Sequence, residues 1–256
     1  MHMKVESYGM SNVGMKRFQN EDSYLINDDM GLYMVADGMG GHLGGEFASK
    51  LAVATVEEII KKFRLDPDAT QIHGVNTNES SPGDQLRHAI SEAGRRIHHQ
   101  ALYDENLRGM GTTAVAAMCQ KGKIFIANVG DSRAYLVRDH SIKQLTEDHS
   151  LVSEQVKAGM IRPEEAKSHK LKNIITRSVG YQEDVDSDIL VVEPKTGDRV
   201  LMCSDGLSNL VDDEEILKAL EDHDLKEACE QLVNKANTRG GDDNITVVIL
   251  QVDEIA

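Results

Sequence analysis

The sequence predicts an α+β fold, and three observations carry that assignment. Strands and helices come in blocks (strands, helices, strands, helices, strand) with no regular strand-helix alternation, neighbouring strands are joined by short turns, and no internal repeat is present. With 256 residues and 40% hydrophobic content, the chain can bury one sizeable core, so a single domain over 1–256 is expected.

Lys4 to Ser11 and Ser23 to Asp37 read as strands, the second region broken by a turn at Asp28-Asp29-Met30-Gly31. Leu32-Tyr33-Met34-Val35-Ala36 is apolar throughout, which predicts burial on both faces. After a glycine-rich turn, Ala48, Leu51, Ala52, Thr55, Val56, Ile59, Ile60 and Phe63 recur at helical spacing, giving an amphipathic helix to pack on a sheet. Asp66 to Asp84, polar and holding Pro67 and Pro82, reads as a surface loop. Gln85 to Glu105 follows as a second helix with Leu86, Ile90, Ala93, Ile97 and Ala101 inward.

Thr112 to Cys119, Lys123 to Val129 and Ser132 to Arg138 read as a three-stranded antiparallel meander turning at Lys121-Gly122 and Gly130-Asp131. Asp148 to Tyr181 is charged, carries Gly159 and Pro163 and has weak helical periodicity, so it is expected to leave the core as a small excursion. Strands return at Asp188 to Glu193 and Arg199 to Cys203, helices at Asp213 to Leu220 and Leu225 to Thr238, and a last strand at Ile245 to Val252.

The formal charge is −15, from 43 acidic and 28 basic residues, which repels nucleic acid backbones and anionic lipid alike. No stretch has the apolar length of a membrane span, and the N-terminus lacks a basic region followed by an apolar run. Cys119, Cys203 and Cys229, odd in number and without paired spacing, read as buried thiols of a reduced compartment; a cytoplasmic location is expected.

Asp37, Asp131, Asp205 and Asp243 each fall at a strand end or tight turn, and the first three adjoin glycine. One Asp-Gly is ordinarily a β-turn. Several carboxylates converging at about 4 Å would repel by about 4 kcal/mol per pair at an effective dielectric near 20, and a divalent cation cancels that repulsion. An all-oxygen set suits Mg²⁺ or Mn²⁺, and no H-E-x-x-H or paired C-x-x-C is present for zinc.

Six ordered segments then carry a resemblance: Arg17-Phe18-Gln19-Asn20-Glu21-Asp22, Val35-Ala36-Asp37-Gly38-Met39-Gly40-Gly41-His42, Gly111-Thr112-Thr113-Ala114, Gly130-Asp131-Ser132-Arg133-Ala134, Cys203-Ser204-Asp205-Gly206-Leu207 and Gly241-Asp242-Asp243-Asn244-Ile245-Thr246. Together they resemble the motifs of the metal-dependent protein phosphatase family (PPM, type 2C), in its compact bacterial form. The resemblance implies a four-layer fold, two antiparallel sheets face to face with helices on both sides, metals at one end of the sandwich, and a flap at about 148–181.

It further implies that Asp37 bridges two metals, that the Gly38 carbonyl binds one, and that Asp205 and Asp243 complete the pair. Glu21 and Asp22 act through waters, and Asp131 with Asp205 holds a third ion, making two or three Mn²⁺ or Mg²⁺ per chain. Arg17 grips the substrate phosphate, since a guanidinium offers two parallel hydrogen bonds. His42 is the candidate general acid; eukaryotic relatives place that histidine directly after Asp-Gly, where this chain has Met39. The implied activity is hydrolysis of phosphoserine and phosphothreonine on proteins by direct attack of a metal-bridging hydroxide, the implied partners phosphoproteins and a cognate serine/threonine kinase, and the implied state a monomer.

A nucleotide-binding protein and a serine hydrolase fit poorly. A dinucleotide fingerprint needs glycine where Leu43 stands, no P-loop Gly-Lys-Ser/Thr follows, and neither Ser132 nor Ser204 lies in a G-x-S-x-G elbow. The alternative from another class is a catalytically silent module that binds phosphoproteins; it would be expected to have lost a metal ligand, and Asp37, Asp205 and Asp243 are intact. His98-His99 and Asp148-His149 read as a solvated helix face and a loop.

Overall fold

The computed structural model describes residues 3–40, 43–65, 81–166 and 169–255. Strands β1 (Met3–Asn12), β11 (Ile245–Ile255), β10 (Arg199–Cys203), β7 (Arg133–Arg138) and β8 (Ser141–Gln144) form one sheet in that order. Strands β2 (Asp22–Asn27), β3 (Leu32–Met39), β5 (Ala114–Gln120), β6 (Lys123–Val129) and β9 (Asp188–Val192) form the other, with β4 (Gly111–Thr112) beside β3. The ladders between neighbouring strands are antiparallel.

Side-chain alternation sorts the strands into layers. Along β6, Ile124 and Ile126 join Val200 and Met202 of β10 between the sheets. Phe125, Ala127 and Val129 face the other way, onto helices α1 (Gly44–Leu65) and α2 (Pro82–Tyr103). Leu201 and Cys203 of β10 face outward onto α6 (Asp213–Asp222) and α7 (Leu225–Thr238). Each sheet is thus covered on both faces, which is the physical reason the inner strands β3, β5, β6 and β10 read as near-continuous apolar runs. Both sheets sit between helices, as the resemblance implied.

The meander over 112–138 is corrected. β5 and β6 pair, but β7 lies in the opposite sheet, between β10 and β8. Gly130-Asp131 is therefore a corner between sheets, with Gly130 at φ +102 and Thr113 Cγ2 2.6 Å from where a Cβ would sit. A short connection has the same length in a hairpin and in such a corner, so spacing alone does not separate them. What decides is Tyr135 and Val137, whose alternation fits the α6–α7 side.

The expected loop at 66–84 also ends earlier than its prolines suggested. Ser81 caps α2, its Oγ accepting from Asp84 N–H at 3.2 Å while Asp84 Oδ2 accepts from Ser81 N–H at 3.1 Å, and Pro82 opens the helix. The remainder, 66–80, lies outside the described residues. The excursion carries α3 (Leu151–Lys157) and α4 (Pro163–Ala166), and the four-residue α5 (Asp205–Ser208) follows β10 directly. Cys119, Cys203 and Cys229 are free, and burial pushes each thiol up to about 12. Among the described residues no helix is long and apolar enough to cross a membrane.

Candidate metal centre

Strand register brings the acidic residues to one end of the sandwich. In one sheet Asp22 stands opposite Asp37, and Ala114 opposite Val129, so the end of β3, the start of β2 and the end of β6 coincide. In the other, Cys203 stands opposite both Arg133 and Val247, so β10 ends where β7 and β11 begin. The loops leaving those ends carry Asp131, Asp205 and Asp243. Thr113 joins the sheets: its Oγ1 accepts from Asp37 N–H at 2.9 Å and lies 2.6 Å from Ser132 Oγ.

Burial and mutual repulsion then set the protonation of the cluster. Asp37 is held well above the usual carboxylate range, first by burial and then by Asp22, Asp205, Asp131 and Asp243. Burial pushes Asp22 up to about 7 against hydrogen bonds from Thr246 and Ser204. Asp131 is likewise pushed up to about 7, by burial and then by Asp205 and Asp148. Asp205 is raised by burial and by Asp243, while a hydrogen bond from Asp37 and the charge of Lys172 pull it back.

This crowding fits hard divalent cations. Asp205 Oδ1 and Asp22 Oδ1 are buried with no hydrogen-bond partner, and the donor set is oxygen throughout. Among the described residues, no three acidic, histidine or cysteine side chains already close around one point. Asp205 Oδ2 instead accepts from Asn209, and Asp243 Oδ2 from Arg17.

The remaining expected residues fall as follows. Arg17, half-exposed, donates from Nη2 to Asp243 Oδ2 at 2.7 Å. Gly38 donates to the Glu21 carbonyl at 3.2 Å, and a Cβ on Gly38 would meet the Gly45 carbonyl oxygen at 2.1 Å, so the start of α1 packs directly on the end of β3. Glu21 lies in the same contact, its Oε2 occupying the space a Gly45 Cβ would need. His42 lies outside the described residues.

Several supporting residues were not singled out from sequence. Asn244, 4% exposed, clasps the Arg17 loop: its Nδ2 donates to the Val13 and Gln19 carbonyls, both at 2.9 Å, and its Oδ1 accepts from Glu21 N–H at 2.7 Å. Ser204 and Thr246 hydroxyls donate to Asp22 Oδ2 at 2.8 and 2.6 Å. Arg133 grips Asp148 bidentately, with contacts from 2.7 to 3.1 Å. Asp148 and His149 sit in a loop, as expected, yet His149 is buried and Asp148 is tied to β7. Thr146, two residues before Asp148 and three before His149, lashes this segment to the strand, its Oγ1 accepting from Ala134 N–H.

A cleft of about 580 Å³ opens beside Asp131 and Asp205, lined also by Arg133, Asp148, Lys172 and Asn209. Lys172, from the excursion, reaches Asn209 Oδ1 at 3.5 Å, and Asn209 donates to Asp205 Oδ2 at 2.9 Å.

The sequence and fold are similar to those of known proteins. The chain is 41% identical over 246 residues to the Serine/threonine phosphatase stp of Listeria monocytogenes serovar 1/2a, covering 94% of this chain and 93% of that one. The crystal structure of the Mycobacterium tuberculosis serine/threonine phosphatase PstP/Ppp superposes with a TM-score of 0.85 at 34% identity, over 98% of this chain and 99% of that one. The PstP catalytic domain in complex with 2 manganese ions gives a TM-score of 0.83 at 33% identity, over 99% and 100%. Residues 16–247 match the sequence model described as Protein phosphatase 2C, and the chain belongs to that family.

Proposed function

We propose that the chain is a cation-dependent protein phosphatase that hydrolyses phosphoserine and phosphothreonine on other proteins. The observation that carries this reading is the meeting of Asp22, Asp37, Asp131 and Asp205 at one end of the sandwich, close enough to raise one another's affinity for protons. Buried carboxylates this close are neutralised by protons or by a bound cation, and the all-oxygen set suits a divalent ion.

Asp37, the Gly38 carbonyl, Asp205 and Asp243 would hold two ions, Asp131 with Asp205 a third, and Glu21 and Asp22 would act through waters. Bound there, Mn²⁺ or Mg²⁺ would supply an activated water for in-line attack on phosphorus and neutralise charge on the phosphoryl oxygens. Arg17 orients the phosphate through paired hydrogen bonds from the mouth of the site. His42 donates its proton to the serine or threonine oxygen as the P–O bond breaks, so the product leaves as the neutral alcohol. Asn244 keeps Arg17 and Glu21 in place by fixing the loop that carries both.

In this reading 1–256 is one catalytic domain, with about 148–181 as the flap beside the cleft. The substrates are phosphoproteins of the cytoplasm, marked by a serine/threonine kinase, and the enzyme works as a monomer. The test is phosphate release from a phosphothreonine peptide by metal-stripped protein titrated with Mn²⁺ and Mg²⁺, beside Asp205→Ala. Release that rises with cation and collapses in the variant supports the reading; no release by the wild type at any cation concentration overturns it.

A further inference from the structure

His149 is 7% exposed, yet it bonds to three separate stretches of chain. Its Nδ1 accepts from the Gly130 N–H at 3.0 Å, and its own backbone N–H donates to the Gly130 carbonyl at 2.9 Å. Its Nε2 lies 3.1 Å from Asp188 Oδ2 at the start of β9. Its carbonyl accepts from Thr176 N–H at 2.9 Å, and Arg177, the next residue, donates to Asp188 Oδ1 at 2.7 Å.

The ring's tautomer follows. A backbone amide can only donate, so Nδ1 bears the lone pair and Nε2 bears the hydrogen, which points to the Asp188 carboxylate. An outer carboxylate that fixes a histidine in this way also fixes the ring's orientation. The ring, in turn, holds a segment with no side chain of its own to anchor it: Gly130, at φ +102, packs bare against Thr113. The next residue is Asp131, 8% exposed and close enough to Asp205 for each charge to oppose the other's ionisation.

We propose that His149 is a positioning residue for Asp131. By gripping both the N–H and the C=O of Gly130, it sets the corner between β6 and β7 so that the Asp131 carboxylate faces Asp205. Asp188 and Arg177 tie that corner to the far end of the 148–181 excursion, so the excursion's placement and the Asp131 carboxylate are mechanically joined. The inference rests on the reading of Asp131 as a cation ligand given above.

The test is Mn²⁺ binding to metal-stripped protein, followed by the electron paramagnetic resonance signal of free Mn²⁺, with melting temperatures measured alongside. His149→Ala is expected to weaken the weakest Mn²⁺ site at least tenfold and leave the tighter ones within twofold. His149→Asn, whose carbonyl can accept from Gly130 N–H in place of Nδ1, is expected to restore most of the loss. Asp188→Ala, which keeps the ring but removes its orienting acceptor, should weaken the same site about threefold and serves if His149→Ala does not fold. Leu220→Ala, buried against α7 on the opposite helical layer, should melt earlier with every Mn²⁺ affinity unchanged. An unchanged weakest site in His149→Ala or Asp188→Ala, or an equal loss in Leu220→Ala, overturns the role of His149 alone. A wild type that binds no Mn²⁺ overturns the cation reading of the site as well.

Discussion

Arg17 and Asp243, 226 positions apart in sequence, are joined at 2.7 Å by a hydrogen-bonded ion pair at the rim of the acidic cluster. The pair sets two demands on one carboxylate: Asp243 balances Arg17 in the metal-free chain, and a cation in the site competes for the same oxygens.

Replacing Arg17 therefore has opposite effects on substrate and cation. Arg17→Ala is expected to lower kcat/KM for a phosphopeptide about ten- to hundredfold, the worth of a charge-assisted pair of hydrogen bonds at roughly 1.5–3 kcal/mol. Mn²⁺ affinity, measured by calorimetry, should hold or tighten, because Asp243 loses a competitor. Weaker Mn²⁺ binding in the variant would contradict the arrangement.

The metal-free protein should lose stability as pH rises. Asp22 and Asp131 titrate near 7 in the folded chain against 3.8 for an ordinary aspartate, so between about pH 4 and 7 the folded state holds more protons than the unfolded one. Their contribution is full below the unfolded value and is lost as pH climbs through the folded one. Melting temperature in chelator should fall from pH 5 to pH 8. Saturating Mn²⁺ should remove the fall, with protons released on binding. A melting temperature that rises across this window without metal would count against the cluster's crowding.

Gly38→Ala tests the contact between β3 and α1. Its Cβ would sit 2.1 Å from the Gly45 carbonyl oxygen and 2.5 Å from that of Glu21, both backbone atoms with little room to yield. Overpacking of this kind costs about 1–3 kcal/mol, and it displaces the ends of the elements that carry Asp37 and Glu21. The variant should melt several degrees lower and release little phosphate. Wild-type melting and turnover would show the close approach to be dispensable.

Arg133→Ala leaves Asp148, only 17% exposed, without its bidentate partner. Removing one member of a mostly buried pair costs about 2–3 kcal/mol at this exposure, or about 5–10 °C in melting temperature for a chain of this size. Arg133→Lys should recover less than half, since an ammonium cannot reproduce the two-point grip. Full recovery by lysine would mean that charge alone matters there.

Much of this was legible before the structure. β3, β6 and β10 fall within a residue or two of where their apolar runs end, because a strand buried on both faces writes its length directly into the sequence. The aspartates were legible as a set because each sits where a rigid strand gives way to a turn. The corner at Gly130-Asp131 was not, since its direction depends on which sheet buries Tyr135, a property of packing over the whole chain. β8 was missed because Ser141–Gln144 holds one apolar residue at a sheet edge. The burial of His149 was hidden for a related reason: its partners Gly130 and Asp188 are 19 and 39 positions away, and no local periodicity records them. The hydroxyls on Asp22 come from 182 and 224 positions away.

If the aspartates at the end of the sandwich form a cation site, crystals equilibrated with Mn²⁺ will show it by anomalous scattering at the manganese edge. At least two peaks bounded by Asp37, Asp205 and Asp243 are expected, with Asp243 turned from Arg17 toward the metal. No anomalous peak among these carboxylates, with Asp243 still on Arg17, would contradict it.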